Sequence, residues 1–223
     1  MKAAATMGAD RFVTFEGGEG AGKSTQVARL AERLRADGAE VIVTREPGGA
    51  PFAERIRKVL LTPADRAPSP LAEALAFYSA RADHLAQTIG PALSRGAWVL
   101  CDRFNDSTRA YQGAAGGVAD AHLDRLDEIV VGDTRPGLTF LIDIPPEEGL
   151  ARAKARRAEA SADMFEAREL AFHTALRDAY LAIAAAEPAR CRVVDGARAP
   201  DAVADEIWDA IAAHRQSATA AEG

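Results

Sequence analysis

The chain has 223 residues, of which 48% are hydrophobic and 27% charged, and this length and composition suit one ordinary globular domain. The net charge of -6 argues against a nucleic-acid-binding protein, because the phosphate backbone calls for a basic face. The sequence has no apolar run of about 18 residues and no secretory h-region, so we expect a cytoplasmic protein without a membrane partner. The two cysteines, Cys101 and Cys191, lie in or beside apolar runs and are predicted to be buried thiols.

Short β-branched or aromatic runs alternate with helical patterns along the chain, which is typical of parallel βαβ units. The predicted strands are Phe12–Glu16, Val41–Thr44, Trp98–Cys101, Leu138–Asp143 and Arg192–Val194. The predicted helices are Lys23–Ala36, Phe52–Leu61, Leu71 to about Leu93, His122–Val131, Ala171–Ala185 and Ala202–Ala213. We therefore predict an α/β fold with a five-stranded parallel sheet and helices on both faces. It forms a single domain over residues 12–215, between an N-terminal extension (1–11) and a disordered tail (216–223).

Polar and charged residues follow each predicted strand. They are Glu16, Arg45, Glu46, Asp102, Arg103, Asp143 and Asp195. Any one of them is consistent with a strand that simply ends in a polar loop. In open parallel sheets, however, ligands bind at the carboxyl ends of the strands, so the set indicates a candidate site.

The loop after the first predicted strand matches the pattern G-x-x-x-x-G-K-[ST] of a phosphate-binding loop, or P-loop. Its backbone N–H groups and the N-terminus of the next helix would cradle the phosphates of ATP. Lys23 would span the β- and γ-phosphates, and the Ser24 hydroxyl would ligate Mg²⁺. The predicted nucleotide-binding residues are Gly17, Gly18, Glu19, Gly20, Ala21, Gly22, Lys23, Ser24 and Thr25.

Five motifs in order along the chain resemble those of the bacterial thymidylate kinase family of P-loop nucleoside monophosphate kinases. They are Phe15-Glu-Gly-Gly-Glu-Gly-Ala-Gly-Lys-Ser-Thr25, Thr44-Arg-Glu-Pro-Gly-Gly49, Phe77-Tyr-Ser-Ala-Arg81, Asp102-Arg-Phe104 and Asp106-Ser-Thr-Arg-Ala-Tyr-Gln-Gly113. The resemblance runs from about Arg11 to Ala213. It implies the P-loop NTPase fold, phosphorylation of dTMP to dTDP with ATP and Mg²⁺, and a homodimer.

Two arginines and one aspartate at the strand ends suit phosphoryl transfer, which chiefly needs positioned phosphates and neutralised charge. Arg45 is placed to hold the acceptor phosphate and Arg103 to bridge the reacting groups. Alternatively, both are surface arginines paired with Glu46 and Asp102. Asp102 ends an apolar run that resembles a Walker-B strand and would bind Mg²⁺ through water. The second pKa of a phosphate monoester is about 6, so dTMP needs no general base.

The resemblance also implies a site for the nucleoside. Phe77 would stack on the base, and three side chains would read its polar edge: Arg81, Thr108 and Gln112. Tyr111 would lie under the sugar, and Glu19 would accept a hydrogen bond from the 3′-hydroxyl. Without the family context, residues such as Phe77 and Tyr111 are more often core aromatics than parts of a binding site.

A segment dense in cations, from Arg152 to Arg157, precedes small residues and is predicted to belong to a short mobile lid over about residues 152–166. The P-loop itself has no cation between Gly17 and Gly22, so Arg156 and Arg157 are predicted to supply catalytic charge when the lid closes. A solvated helix face is the alternative interpretation. Met164 departs from the arginine that many relatives of the family carry at this place.

Two other functions remain open at this point. In a deoxynucleoside kinase of related fold, Glu46 would act as the base that deprotonates a sugar hydroxyl. In a non-catalytic ATP-binding regulatory protein, the P-loop would be retained, but the arginines at the other strand ends would have no purpose. A guanine-specific switch is disfavoured, because Asn105 is the only asparagine and its neighbours do not form a guanine-reading motif.

Overall fold

The structure is a computed structural model that describes residues 9–62, 68–157, 165 and 168–221. Five parallel strands form one sheet in the order β2-β3-β1-β4-β5. The strands are β1 (Phe12–Glu16), β2 (Val41–Arg45), β3 (Trp98–Asp102), β4 (Leu138–Asp143) and β5 (Cys191–Asp195). All five predicted strands and the α/β fold class are confirmed.

The predicted helices are found, most of them with longer bounds, together with helices at Asn105–Thr108 and Pro146–Arg157 that were not predicted. They are α1 (Lys23–Ala36), α2 (Pro51–Leu61), α3 (Pro70–His84), α4 (Gly90–Ser94), α5 (Asn105–Thr108), α6 (Asp120–Val130), α7 (Pro146–Arg157), α8 (Leu170–Ala186) and α9 (Pro200–Ala221). A π-helical turn, Leu85–Ile89, joins α3 to α4, so the single long helix predicted here has a wider turn in it. A second π-helical turn, Arg109–Ala114, continues α5 through a segment for which no helix was predicted.

The end of the chain differs from the sequence prediction. Helix α9 continues to Ala221, so residues 216–221, expected in a disordered tail, are helical. No helix in the described part of the chain is both long and apolar enough to cross a membrane.

Side chains of the central strand, β1, pack into two different layers of the core, because strand side chains alternate between the two faces of a sheet. Val13 and Phe15 pack with α1 and α9, whereas Phe12 packs on the other face with residues of α3, such as Tyr78. Covering both faces explains why β1 is buried along its whole length. Cys101 and Cys191 are both buried and free, as predicted.

The ends of β1, β2 and β3 lie at one level of the sheet. In the strand register Phe15 pairs with Asp102, and Asp102 pairs with Arg45. The P-loop after β1 therefore has the acidic and basic residues of the other two strand ends as immediate neighbours.

Candidate active site

One cavity of about 360 Å³ lies above these strand ends. Its wall contains most of the residues predicted from sequence. They are Glu19, Gly20, Ala21, Gly22, Lys23, Ser24, Thr25, Arg45, Phe77, Arg81, Asp102, Arg103, Thr108, Tyr111, Gln112 and Arg156. Gly17 and Gly18 instead line a smaller neighbouring cleft beside His173.

The P-loop backbone is close-packed where it turns. Gly17 has φ 135° and a Cβ there would come within 2.3 Å of the Ile142 carbonyl oxygen, while Gly20 has φ 68°. Only glycine fits the first position, because both the conformation and the space exclude a side chain. Lys23, the first residue of α1, donates from Nζ to the carbonyl oxygens of Gly17 (3.1 Å) and Gly18 (2.8 Å). Burial, with the nearby Arg103 charge, lowers the pKa of Lys23 to about 8.

Two oxygen-bearing side chains, Ser24 at the end of the P-loop and Asp102 at the end of β3, meet in the cavity. The Ser24 hydroxyl donates to Asp102 Oδ2 at 2.6 Å. Mg²⁺ prefers oxygen ligands, takes one or two from the protein and completes its octahedron with phosphates and water. Within the described residues no group of three or more His, Cys, Asp or Glu side chains forms an alternative metal site. Ser24 and Asp102 therefore fit the donor set that Mg²⁺ requires.

Arg103, just after β3, lines the cavity beside the P-loop. Its backbone has φ 70°, an unusual conformation for a residue with a side chain and one that clusters at functional sites. Its guanidinium donates to Glu19 Oε1 at 2.7 Å and to the Gly17 carbonyl oxygen at 3.0 Å. The alternative in which Arg103 pairs with Asp102 is therefore not the arrangement observed.

Glu19 is buried, yet its surroundings favour the ionised carboxylate. Burial raises its pKa, but the charges of Arg103 and Lys23 and a hydrogen bond from Tyr111 outweigh this and lower the pKa to about 2. The Tyr111 hydroxyl donates to Oε1 at 2.7 Å, the same oxygen that Arg103 binds. The Tyr111 ring also packs edge-on to Phe165 at 5.5 Å, so it serves both as packing and as cavity wall.

Glu16, at the end of β1, lies buried beneath this cluster. Its Oε1 accepts a hydrogen bond from the Phe104 N–H at 2.7 Å, and its Oε2 accepts from the Ser107 hydroxyl at 2.5 Å and from the Tyr180 hydroxyl at 3.3 Å. Tyr180 and Ser107 in turn accept from Arg103 Nη1 at 3.0 and 3.3 Å. Burial and the nearby charge of Asp106 raise the pKa of Glu16 to about 7.

Arg45 is the cation with the greatest freedom at the strand ends. Its side chain is 56% exposed, lines the cavity and approaches Glu54 only at 3.4 Å. An exposed pair at this distance contributes little, so the guanidinium is free to turn toward an anionic ligand. The pairing with Glu46 considered from sequence does not occur in the structure.

Arg81 lies at the far end of the cavity and is 1% exposed. Its Nε donates to Glu46 Oε2 at 2.8 Å, and its Nη2 donates to the Phe104 carbonyl and the Thr108 hydroxyl, both at 3.0 Å. Among the described residues Nη1 has no hydrogen-bond partner. A buried donor without a partner is rare in folded proteins, so a ligand acceptor is the group that fits this position.

Glu46 is fully engaged inside the protein. Arg81 binds one of its oxygens, and His84 Nδ1 lies 3.0 Å from the other. A general base for a sugar hydroxyl must reach that hydroxyl with a free oxygen. The arrangement therefore weakens the deoxynucleoside kinase alternative.

Two polar residues behind Gln112 were not predicted from the sequence. Gln112 donates from Nε2 to Glu73 Oε2 at 3.2 Å, and Arg168 Nη2 lies 3.1 Å from Glu73 Oε1. Phe77, which also lines the cavity, is partly buried and packs on Phe165 at 6.1 Å. Glu73, Phe77 and Arg81 are spaced by four residues on α3, so helical spacing was a signal that points to Glu73.

Only part of the predicted lid lies within the described residues. Arg156 is exposed and lines the cavity, as does Phe165. Arg152 turns elsewhere, because it donates to the Gly196 carbonyl oxygen at 2.8 Å and pairs with Glu148. Arg157 ends α7, but its side chain and residues 158–164, including Met164, lie outside the described residues.

Comparison with known proteins gives one consistent result. The family model described as Thymidylate kinase matches residues 15–207. The thymidylate kinase of Bradyrhizobium sp. (strain ORS 278) is 50% identical over 214 residues, which cover 96% of this chain and 95% of that protein. The thymidylate kinase of Nitrobacter winogradskyi is 52% identical over 210 residues, which cover 94% of this chain and 90% of that protein.

A solved structure agrees with the sequence matches. The crystal structure of thymidylate kinase from Ehrlichia chaffeensis superposes with a TM-score of 0.72 at 32% identity, covering 90% of this chain and 97% of that one. The resemblance inferred from five short motifs is thereby confirmed over nearly the full length, and the chain belongs to the thymidylate kinase family.

Proposed function

We propose that this chain transfers the γ-phosphate of ATP to dTMP in the cavity at the carboxyl end of the sheet. Family membership carries the activity: the chain is an enzyme that phosphorylates dTMP. The observation that supports the location is that one cavity joins the P-loop at Lys23 to Arg81, whose Nη1 has no hydrogen-bond partner within the described residues. Donor phosphates and acceptor base can thus occupy opposite ends of a single site.

At the phosphate end, the chain supplies cations from three directions. Lys23 exchanges its carbonyl contacts with Gly17 and Gly18 for the oxygens of ATP, and Arg103 is held at the centre by Glu19. Arg45 holds the phosphate of dTMP from the end of β2. Charge placed in advance around a loose transition state is the main source of catalysis in phosphoryl transfer.

Mg²⁺ is the proposed metal, and Ser24 and Asp102 are the residues that would hold it. When bound, the ion would neutralise part of the charge on the phosphates of ATP. The 2.6 Å contact between the two side chains places their oxygens together beside Lys23.

At the base end, Phe77 forms the stacking surface and Arg81 offers Nη1 to a carbonyl oxygen of thymine. Thr108 fixes the Arg81 guanidinium, and Gln112 faces the same edge of the base. Tyr111 lies between this end and the phosphates, where it positions Glu19 beside the sugar. A catalytic base is unnecessary, because dTMP arrives largely ionised.

The working form is proposed to be a cytoplasmic homodimer. Several large apolar side chains are exposed on α2, α3 and α6, of which α3 contacts both of the other two helices. They are Phe52, Val59, Leu71, Leu75 and Ile129. A second copy of the chain would cover them. Light scattering tests this proposal: Val59→Glu should lower the molar mass toward that of one chain, and an unchanged mass would argue against this face.

An acceptor panel tests the substrate assignment. ADP release is measured with ATP and Mg²⁺ against dTMP, dUMP, dCMP, dAMP, dGMP and thymidine. dTMP should give the highest kcat/KM. A higher kcat/KM for thymidine than for dTMP would favour the deoxynucleoside kinase. If none of these acceptors increased ADP release, a non-catalytic ATP-binding protein would be favoured.

A further inference from the structure

Three connected polar side chains, two of them buried, stand behind the base end of the cavity. Arg168 contacts Glu73, and Glu73 accepts a hydrogen bond from Gln112, which lines the cavity. Glu73 is 2% exposed and Gln112 is 1% exposed. Residues so deeply buried keep one arrangement, because each polar group depends on its neighbours in place of water.

The chemistry of Glu73 decides which end of the Gln112 amide faces it. Both oxygens of Glu73 face a donor from Arg168, whose Nη2 lies 3.1 and 3.4 Å from them, so Glu73 serves as an acceptor here. Gln112 must therefore present its NH₂ group to Glu73, as the 3.2 Å contact from Nε2 shows. The carbonyl oxygen of the amide accepts no hydrogen bond from any side chain that the structure describes, and it remains for the cavity.

The cavity then offers a donor and an acceptor in fixed order. Arg81 Nη1 is the donor, and Gln112 Oε1 is the acceptor. Thymine presents the complement, with an acceptor at O4 and a donor at N3–H. Cytosine presents the reverse, an amino donor at position 4 and an acceptor at N3, so it would meet like groups on both sides.

We propose that Glu73 is a positioning residue for base selection, which holds the Gln112 amide in the orientation that accepts the N3–H of thymine and rejects cytosine. The proposal rests on the base-reading role proposed above for Gln112. Arg168, just before α8, supports this role of Glu73, because its guanidinium is packed against Phe165 at 5.0 Å and Phe172 at 4.5 Å. Phe165 itself lines the cavity, so the residues packed around Arg168 both shape the cavity wall and help to orient the Gln112 amide.

The test is the isosteric variant Glu73→Gln. Arg168 would keep the new amide oxygen, so the new NH₂ group would face Gln112 and force its amide to turn over. The ratio of kcat/KM for dTMP to that for dCMP should fall by about 10- to 100-fold, mainly through a loss with dTMP. The KM for ATP should stay as in the wild type, because ATP binds at the other end of the cavity.

A matched control is Glu40→Gln, which makes the same change at an exposed glutamate paired with Arg95 outside the cavity. Its ratio should equal that of the wild type. The exchange Glu73→Gln with Gln112→Glu reverses the pair while keeping an acceptor toward the base. This double variant should recover the wild-type ratio of kcat/KM for dTMP to that for dCMP. If Glu73→Gln alone fails to fold, the ratio of the double variant should exceed the ratio of Gln112→Leu by about tenfold or more.

Three results would overturn the proposal. If Glu73→Gln lowers the ratio by less than about fivefold while Gln112→Leu lowers it further, Gln112 reads the base but Glu73 does not orient it. If Glu73→Gln fails to fold and the exchange does not exceed Gln112→Leu by that margin, the orienting role is again wrong. If Gln112→Leu also leaves the ratio unchanged, the base-reading role itself fails.

Discussion

Replacing Glu16 by Gln is expected to change how the free energy of unfolding depends on pH. Glu16 is wholly buried, and burial together with the charge of Asp106 raises its pKa from 4.5 to about 7. Between these two values the folded protein holds a proton that the unfolded chain has lost. The free energy of unfolding therefore falls as pH rises through this window.

The size of the effect follows from the gap of about 2.5 pKa units between the two states. At about 1.36 kcal/mol per unit, ionising Glu16 in the folded protein costs about 3 kcal/mol, of which about 2 kcal/mol falls between pH 5 and pH 7. Glutamine has nearly the same shape and does not titrate. The variant should consequently gain about 2 kcal/mol of stability relative to wild type over that interval.

Urea unfolding of the wild type and of Glu16→Gln at about pH 5, 6 and 7 measures the difference between their free energies of unfolding. Titrating groups that the two proteins share cancel in this difference. Glu54→Gln is a suitable control, because a hydrogen bond from the Gly49 N–H keeps the pKa of Glu54 below its usual range. Its stability relative to wild type should stay nearly constant over the same interval. A constant difference for Glu16→Gln as well would refute the reasoning that Glu16 retains a proton at neutral pH.

Three further outcomes are expected for the reaction itself. Lys23→Ala should lower kcat by about 10²–10³ in a steady-state assay, and a variant that keeps more than about a tenth of the activity would contradict the role of the ammonium. Arg45→Ala should weaken dTMP binding in calorimetric titration while ATP binding is kept; an equal loss for both ligands would argue against an acceptor-phosphate site. Replacing Arg156 and Arg157 together by Ala should lower kcat by about 10³ with little change in KM for dTMP. A raised KM with kcat nearly unchanged would assign them to ground-state binding only.

The sequence by itself predicted the scaffold well, because its information is local. Strand and helix patterns depend on residues a few positions apart, and the P-loop from Gly17 to Thr25 is one continuous segment. Its match also indicated where phosphate should bind, since a loop between β1 and α1 lies at the carboxyl edge of the sheet. The two π-helical turns were beyond such patterns, since a wider turn depends on packing around it.

The partners of the candidate site residues were decided only by the tertiary structure. Pairing of Arg103 with Asp102, its neighbour in sequence, was the alternative that a local pattern suggested. In the structure Arg103 instead binds Glu19, which is 84 positions away and carries a carboxylate stabilised by Lys23 as well. Glu73 and Arg168 are 95 positions apart and meet behind Gln112. Buried charges must find opposite charges or donors wherever the packed elements bring them, and nothing in a local pattern records that requirement.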